Sequence, residues 1–455
     1  MKITVLNGSP KGEKSVTMQY INYIQKTFPE HELNIINIAQ KIKKIEMDET
    51  YFKEIINEIE QSNAVIWAFP LYVFLVSYQY KRFIELITEY DVQESFKDKY
   101  TAVLSTSIHF YDHTAHNYMN AICDDLEMKN LGSYSADMDD LFQEKERENL
   151  CKFAKNFFED VKLGATSSKN YWPLEKHEFK YHPSFTNQKI ANENKKVVLI
   201  TDSTKEDSNL SAMVERFEKS FKDGIEVYNL NDVDIKGGCL GCLKCGYDNI
   251  CTYHDKDGFM DFYNKLNDFD AIIFAGSITD RYLSSKWKQF FDRGFFNTHI
   301  PVFKDKQLGF IISGSLSQNS NLREILEGYA QWQHANIVDF ITDEYRDSEE
   351  IDRQIQNFAK QTIRLAAADY LKPSTFLGVG GMLIFRDAIY GRLRFPFQAD
   401  YKYYNENGYF NFPQKDYKTR VTNMAMGLLI KIPRIRKEIY KNKIKNEMIK
   451  PFQNI

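Results

Sequence analysis

Twice in 455 residues the chain runs through one order: a short apolar stretch, a polar loop, then a helical pattern, repeated five times over. In the first half the apolar stretches are 2–7, 32–38, 64–69, 100–106 and 132–136. In the second half they are 196–201, 225–230, 271–275, 308–313 and 336–341. Helical periodicity lies between them, for instance over 16–27, 144–161, from 210 onward, and after the last stretch to about 371. Strands that alternate with helices must pair in parallel, with the helices covering both faces. The chain is also too long for a single core. The sequence therefore predicts an α/β protein of two tandem doubly wound parallel sheets. Residues 1–163 form the first domain, 164–194 a linker, 195–372 the second domain, and 373–455 a mostly helical basic extension. Open sheets of this kind bind ligands beyond the carboxyl ends of their strands.

Between the second and third stretches of the second half lies Gly237-Gly238-Cys239-Leu240-Gly241-Cys242-Leu243-Lys244-Cys245-Gly246, followed by Cys251. Four of the six cysteines fall here, spaced C-x2-C-x2-C-x5-C. Three thiolates at this spacing converge on one compact centre and a fourth closes the shell, as an iron–sulfur cluster requires. The glycines let the backbone approach a ligand closely. A structural zinc site more often uses two separated C-x2-C knuckles, and Thr252 stands where the bacterial ferredoxin run has proline. A [4Fe–4S] cluster on Cys239, Cys242, Cys245 and Cys251 is the expectation, with zinc and unliganded thiols as the alternatives.

The first strand feeds Gly8-Ser9-Pro10-Lys11-Gly12-Glu13-Lys14-Ser15 and then a helix start. A strand, a polar glycine-containing loop and a helix N-terminus make a phosphate cradle, with the hydroxyls of Ser9, Ser15 and Thr17 facing the anion. Both halves resemble flavodoxin-like domains of the NAD(P)H-dependent FMN reductase type. The second half, with its cysteine loop, resembles the iron–sulfur flavoproteins of anaerobic archaea and bacteria. The resemblance covers residues 1–372. It implies that Gly8, Ser9, Pro10, Lys11, Ser15 and Thr17 bind FMN phosphate. It implies further that Pro70, Leu71, Tyr72 and Val73 line the isoalloxazine, and that the family's Ser/Thr-rich third cofactor loop corresponds to Ser105, Thr106 and Ser107. The second half departs from this pattern. Asp202 stands in the place of Gly8, Glu206 and Asp207 follow, and Ser277 to Asp280 lack the P-x-Y order, although Ser313-Gly314-Ser315 keeps the third loop. Carboxylates beside a phosphate dianion repel it. FMN is expected chiefly in the first domain.

Other clusters read more plainly. His109, Asp112, His113 and His116 crowd one loop and helix start; their spacing permits a metal pair, but capping by Thr114 and lining of a flavin rim explain them as well. Cys123 and Cys151 fall in helical patterns and read as buried thiols. No G-x4-G-K-[ST] loop and no nucleophile triad is present.

The net charge of −4 divides unevenly: residues 373–455 carry +9 and the rest −13. An acidic body disfavours nucleic acid. The N-terminus enters a strand at once, with no signal-like segment, and no window is long enough to span a membrane, so a cytoplasmic protein is expected. The expected activity is a flavin oxidoreductase passing electrons between FMN and the cluster, with NAD(P)H or a ferredoxin as reductant and a small molecule or protein as acceptor. The alternative is a non-catalytic electron carrier or redox sensor that docks through its basic tail. The tail is expected to serve contact rather than chemistry, against its own body, an acidic protein or a membrane surface. Homo-oligomerisation is a further expectation.

Overall fold

The structure is a computed structural model that describes residues 1–176, 178–185, 188–204 and 208–454. The first sheet is made of β1 (Lys2–Asn7), β2 (Glu32–Asn37), β3 (Ala64–Pro70), β4 (Tyr100–Ser107) and β5 (Lys129–Asp137), all parallel, in the order β2-β1-β3-β4-β5. Around it lie α1 (Val16–Thr27), α2 (Ile42–Met47), α3 (Glu49–Glu60), α4 (Tyr78–Glu89), α5 (Asp112–Asp125) and α6 (Glu144–Leu163). The run AVIWAF of β3 is buried throughout, because a central parallel strand is covered on both faces.

The second sheet repeats the first. β6 (Val197–Thr201), β7 (Glu226–Asn229), β8 (Ala271–Thr279), β10 (Gln307–Ser313) and β11 (Asn336–Thr342) run parallel in the order β7-β6-β8-β10-β11, and the short β9 (Tyr282–Leu283) turns back antiparallel on β8. Its helices are α7 (Asn209–Glu218), α8 (Phe259–Lys265), α9 (Ser285–Gly294), α10 (Ser320–Trp332) and α11 (Ser348–Ala367). Serine caps recur at matching places: Ser15 before α1, Ser77 before α4, Ser208 before α7 and Ser284 before α9 each accept from a backbone N–H of the first turn.

The two sheets meet through equivalent helices. α4 packs on α9, and α5 on α10. Across the first pair, Tyr78 N–H donates to Asp292 Oδ2 at 2.7 Å and Ser285 N–H to Glu85 Oε1 at 2.5 Å. Buried Lys81 offsets the Glu85 charge at 2.9 Å. The tandem is thus an internal pseudo-dimer, and residues Met1–Asp400 form one compact unit.

That unit extends past 372. α12 (Phe376–Tyr390) lies on α10, with Phe385 and Ile389 buried. Gly378 lies against Gln331 and Gly381 against the Phe110 ring, so the helix backbone comes close. α13 (Gln398–Glu406) begins in this unit. The second unit, Tyr401–Ile455, holds α14 (Tyr417–Leu429), α15 (Pro433–Glu438) and α16 (Ile444–Ile449), with Tyr404, Tyr409 and Phe410 clustered before them. Among the described residues no helix is long and apolar enough to cross a membrane.

Candidate functional site

The loops after β1, β3 and β4 open onto a cavity of about 310 Å³. Ser9, Lys11 and Ser15 line one end, Pro70, Leu71, Tyr72 and Val73 one side, and Thr106 and Ser107 the floor. Ser9 N–H is fixed by Asn7 Oδ1 at 3.0 Å, and Ser9 Oγ accepts from Lys11 N–H at 3.3 Å. Ser15 caps α1, whose N-terminus therefore points at this end. Four of the expected residues, Gly8, Pro10, Thr17 and Ser105, do not line the cavity, and two of these stand behind its surface. Thr17 Oγ1 lies 2.7 Å from Thr106 Oγ1, and Ser105 Oγ lies 2.7 Å from His116 Nε2. They support lining residues and are not themselves in the wall. Burial lowers the His116 pKa to about 4, so the ring under this floor is neutral.

The turn after β3 is held unusually. Val73 and Phe74 have φ of 27° and 66°, a region that non-glycine residues rarely adopt. Tyr72 and Leu75 exchange two backbone hydrogen bonds of 2.7 and 2.8 Å across it. From the second domain, fully buried Lys288 on α9 donates to Tyr72 O at 3.0 Å and pairs with Asp292. Burial pushes the lysine down and the aspartate up, and their mutual attraction opposes both shifts. An ion pair of one domain thus clamps a cavity-lining loop of the other.

The opposite wall comes from the cysteine loop. Cys239, Gly241 and Leu243 face the cavity, and the Tyr72 hydroxyl lies against Gly241. Gly241 has φ +61°, and a Cβ there would stand 2.2 Å from Tyr72 Oη. Only glycine satisfies both demands. Burial first, and then the nearby Cys239, raise the Tyr72 pKa well above its ordinary value. Behind this wall the four cysteines 239, 242, 245 and 251 line one small cavity of their own. Cys239, Gly241, Leu243 and Phe295 line both. Burial pushes the Cys239 and Cys245 thiols up to about 12, so they ionise only against a positive centre. Gly241 N–H lies 3.4 Å from Cys239 Sγ. Buried Arg293 anchors the loop start through Gly237 O at 2.9 Å and holds Asp257 by two bonds of 2.7 and 2.9 Å. Among the described residues, no three His, Cys, Asp or Glu side chains are grouped to hold a single metal ion.

The roof was missed by sequence reasoning. Phe385, Leu393, Pro396 and Phe397 cover the cavity together with Phe110 and Trp332. The strap 391–397 is latched by Arg392 to Asp137 at 2.5 Å and Asp139 at 2.7 Å. It crosses the cysteine loop so closely that a Cβ at Gly246 would stand 2.0 Å from Pro396 O. The expectation that the whole extension serves contact alone is therefore corrected: residues 376–397 help to build the site. Aromatics and arginines are interspersed over 385–397, but nothing local in that stretch tells where it packs. His299 also faces the cavity, with Nδ1 2.6 Å from Asp400 Oδ2. Thr298 beside it has φ 53° and is held by Asp400 and by Asn249 of the cysteine loop at 3.1 Å.

The other histidines disperse. His109 pairs with Asp112 at 2.8 Å and His113 with Glu324 at 2.8 Å, so the three rings serve three separate contacts. Cys123 is buried as expected, while Cys151 is only partly so.

The matching place in the second domain is built differently. Asp202 accepts a hydrogen bond from Ser284, and burial raises its pKa. In the first domain the equivalent Ser77 donates to the Gly8 carbonyl at 3.0 Å instead. Asp343 already accepts from Ser313 Oγ at 2.7 Å, Gly314 N–H at 2.9 Å and Asn209 Nδ2 at 2.9 Å. The linker backbone takes more donors: Ser315 Oγ donates to Glu175 O at 2.6 Å, and Asn209 Nδ2 to Phe179 O at 2.9 Å. Glu206 and Asp207, expected to repel phosphate here, lie outside the described residues.

Residues 1–154 match the family model described as a flavodoxin-like fold, and residues 195–346 match that of NADPH-dependent FMN reductase. No curated protein matches the chain. Among solved structures, the chain is similar to an apo NADH:FMN oxidoreductase at 15% identity, over 37% of this chain and 91% of that one, with a TM-score of 0.31. It is similar to the flavoenzyme NAD(P)H:(acceptor) oxidoreductase FerB of Paracoccus denitrificans at 18% identity, over 36% and 97%, with a TM-score of 0.30. An FMN-dependent NADH-azoreductase of Bacillus anthracis, in complex with FMN, matches at 14% identity over 36% and 99%, with a TM-score of 0.26.

Proposed function

From a chain that carries a flavodoxin-like domain and an NADPH-dependent FMN reductase domain in tandem, we propose a flavin-dependent NAD(P)H oxidoreductase. One FMN binds in the first domain, and an iron–sulfur cluster binds on the cysteine loop of the second. The observation that carries this reading is the shared wall: Cys239, Gly241, Leu243 and Phe295 border both the 310 Å³ cavity and the cysteine cavity.

The residues fit an FMN. Ser9, Ser15, Lys11 and the N-terminus of α1 offer donors and positive charge for a phosphate. Leu71, Tyr72, Val73, Phe110 and Trp332 offer the flat apolar walls an isoalloxazine needs. The residues also fit a cluster. Four thiols line one small cavity, at a sequence spacing that suits a polynuclear centre. FMN accepts two electrons as hydride and an iron–sulfur cluster carries one at a time, so the pair can join two-electron and one-electron partners. The protein's own part is positional. Lys288 and Asp292 fix the Tyr72 turn, Arg293 fixes the cysteine loop, and the 391–397 strap excludes water from above. His299, held by Asp400 at Nδ1, lines the cavity beside the cysteine loop.

The carrier reading retains one support. Cys242 is exposed, and Leu240, Leu243, Tyr247 and Ile250 around it are 40%, 41%, 76% and 46% exposed. That rim suits a protein electron partner beside the loop. Anaerobic mixing with NAD(P)H separates the readings. Catalytic turnover of small acceptors, with Cys242→Ala still reducing its flavin but lacking the broad cluster absorbance, supports the enzyme. Reduction by a protein donor only, with no turnover of small acceptors, supports the carrier.

A further inference from the structure

The second unit carries a charge unlike the rest of the chain. Residues 401–455 hold 12 Lys/Arg against 4 Asp/Glu, while residues 1–400 hold 47 against 59. Its main helix, α14, is capped by Asp416, which accepts from Thr419 N–H at 3.1 Å, and none of its residues is buried. Val421, Met424 and Leu428 are 60%, 65% and 59% exposed. Their spacing of three and four residues places them on one stripe, and Ile432, just past the helix end, is 49% exposed. Soluble proteins rarely leave a contiguous apolar stripe in water without a partner for it. Directly after it come Arg434, Arg436, Lys437, Lys441 and Lys443, all exposed. Among the described residues only Lys443 of these five has an ion pair, with Glu438 at 3.6 Å.

We propose that residues 417–450 are a peripheral docking element for an anionic lipid bilayer. The α14 stripe enters the headgroup boundary and the arginines and lysines after it lie among the lipid phosphates. Three observations select a lipid surface. The apolar stripe and the cations adjoin along one segment, as an interfacial element requires. No helix among the described residues is both long and apolar enough to span, and the 13-residue α14 is too short to do so, so the element lies on the surface. Finally, residues 1–400 carry a net −12, so an anionic surface repels them and confines contact to the tail. This inference does not rest on the redox reading, since it concerns a different unit of the chain.

The full-length protein is sedimented with phosphatidylcholine vesicles, with and without phosphatidylglycerol, at about 0.1 M ionic strength. Binding to the anionic vesicles at least about tenfold tighter than to the neutral ones is expected, and it weakens as salt rises. The triple charge reversal R434E/R436E/K437E lowers it by about a hundredfold or more, and Leu428→Glu by about tenfold. Both variants keep their flavin. Equal binding to neutral and anionic vesicles, or none to either, overturns the proposal. So does concentration-dependent self-association that Leu428→Glu abolishes while vesicle binding is absent, because the stripe would then be an interface between copies.

Discussion

The two crevices of this chain share a topology and differ in what already occupies their donors. In the first, the hydroxyls and N–H groups at the strand ends face an open cavity, and Lys11 stands at its edge. In the second, Asp343 accepts from Ser313, Gly314 and Asn209, and the linker accepts from Ser315 and again from Asn209. Asp343 thus holds donors at the rim of a second cavity of about 730 Å³, lined also by Ser313, Gly314, Ser315 and Asn209. Duplication thus supplied two cradles, and the second domain turned its loops to another use: it walls the first crevice with its cysteine loop and clamps it with Lys288. A fold repeated within one chain does not imply a repeated ligand.

The largest expected effect breaks the first crevice directly. Ser9→Asp sets a buried carboxylate against the phosphate position and should weaken FMN binding by about a hundredfold or more. Ser203→Asp, the matching change in the second domain, should leave flavin content within about twofold. Flavin fluorescence after gel filtration reads both. Loss of flavin from the second variant alone would reverse the assignment of the two domains.

Next comes the shared wall. Gly241→Val would place a side chain against Tyr72 Oη at a positive φ and should cost about 2–4 kcal/mol of stability, with loss of the cluster absorbance. Gly224→Ala in the second domain also has positive φ, +72°, but meets nothing within 4 Å, so only the conformational cost of about 1 kcal/mol is expected. Urea midpoints of the two variants measure the difference. A similar cost at both would mean that the close approach of the two domains carries no energy.

Acid should act on the floor of the first crevice before it acts on the latch of its roof. His116 is neutral when folded, with its pKa lowered to about 4 by burial, while an unfolded histidine titrates near pH 6.5. The unfolded state therefore binds the extra proton first. Stability falls as pH drops from about 6.5 toward 4, by up to about 3 kcal/mol. His116→Asn should flatten that slope, as read by thermal melts across the range. At the strap, burial is the largest single influence on Asp137 and raises its pKa, but the hydrogen bond and charge of Arg392, the Asp139 N–H and the nearby His109 together outweigh it and leave the value lowered. The latch is therefore at full strength above the ordinary Asp value of about 4 and is lost below it. Arg392→Ala, on a partly exposed pair, should weaken FMN retention by only about threefold, less so in high salt.

Local patterns fixed the strand positions because each stretch is both apolar and bounded by polar loops, and all ten expected strands are present. Where the pattern misled, a specific residue explains it. β5 begins at Lys129, ahead of the expected start, because an irregular register opposite Thr101 and Val103 lets polar residues pair at the edge. β8 runs on through Thr279 into the β9 hairpin, whose turn uses Asp280 and Arg281 at φ 43° and 66° with no glycine to announce it. The hydroxyl loop and the P-x-Y turn were legible because their chemistry is local. The roof at Phe385 and Phe397, the Lys288 clamp and the His299–Asp400 pair were not. Each joins residues far apart in sequence, and no spacing rule reports such a meeting.

The central claim is that one flavin and one iron–sulfur cluster share a wall inside a single chain. Its most direct test is anaerobic purification of the full-length protein, with FMN, iron, acid-labile sulfide and zinc counted per chain. The account predicts one FMN, with iron and sulfide in equal amounts at about four each, and loss of both iron and sulfide but not FMN in Cys242→Ala. Two FMN per chain, or stoichiometric zinc without sulfide, would contradict it.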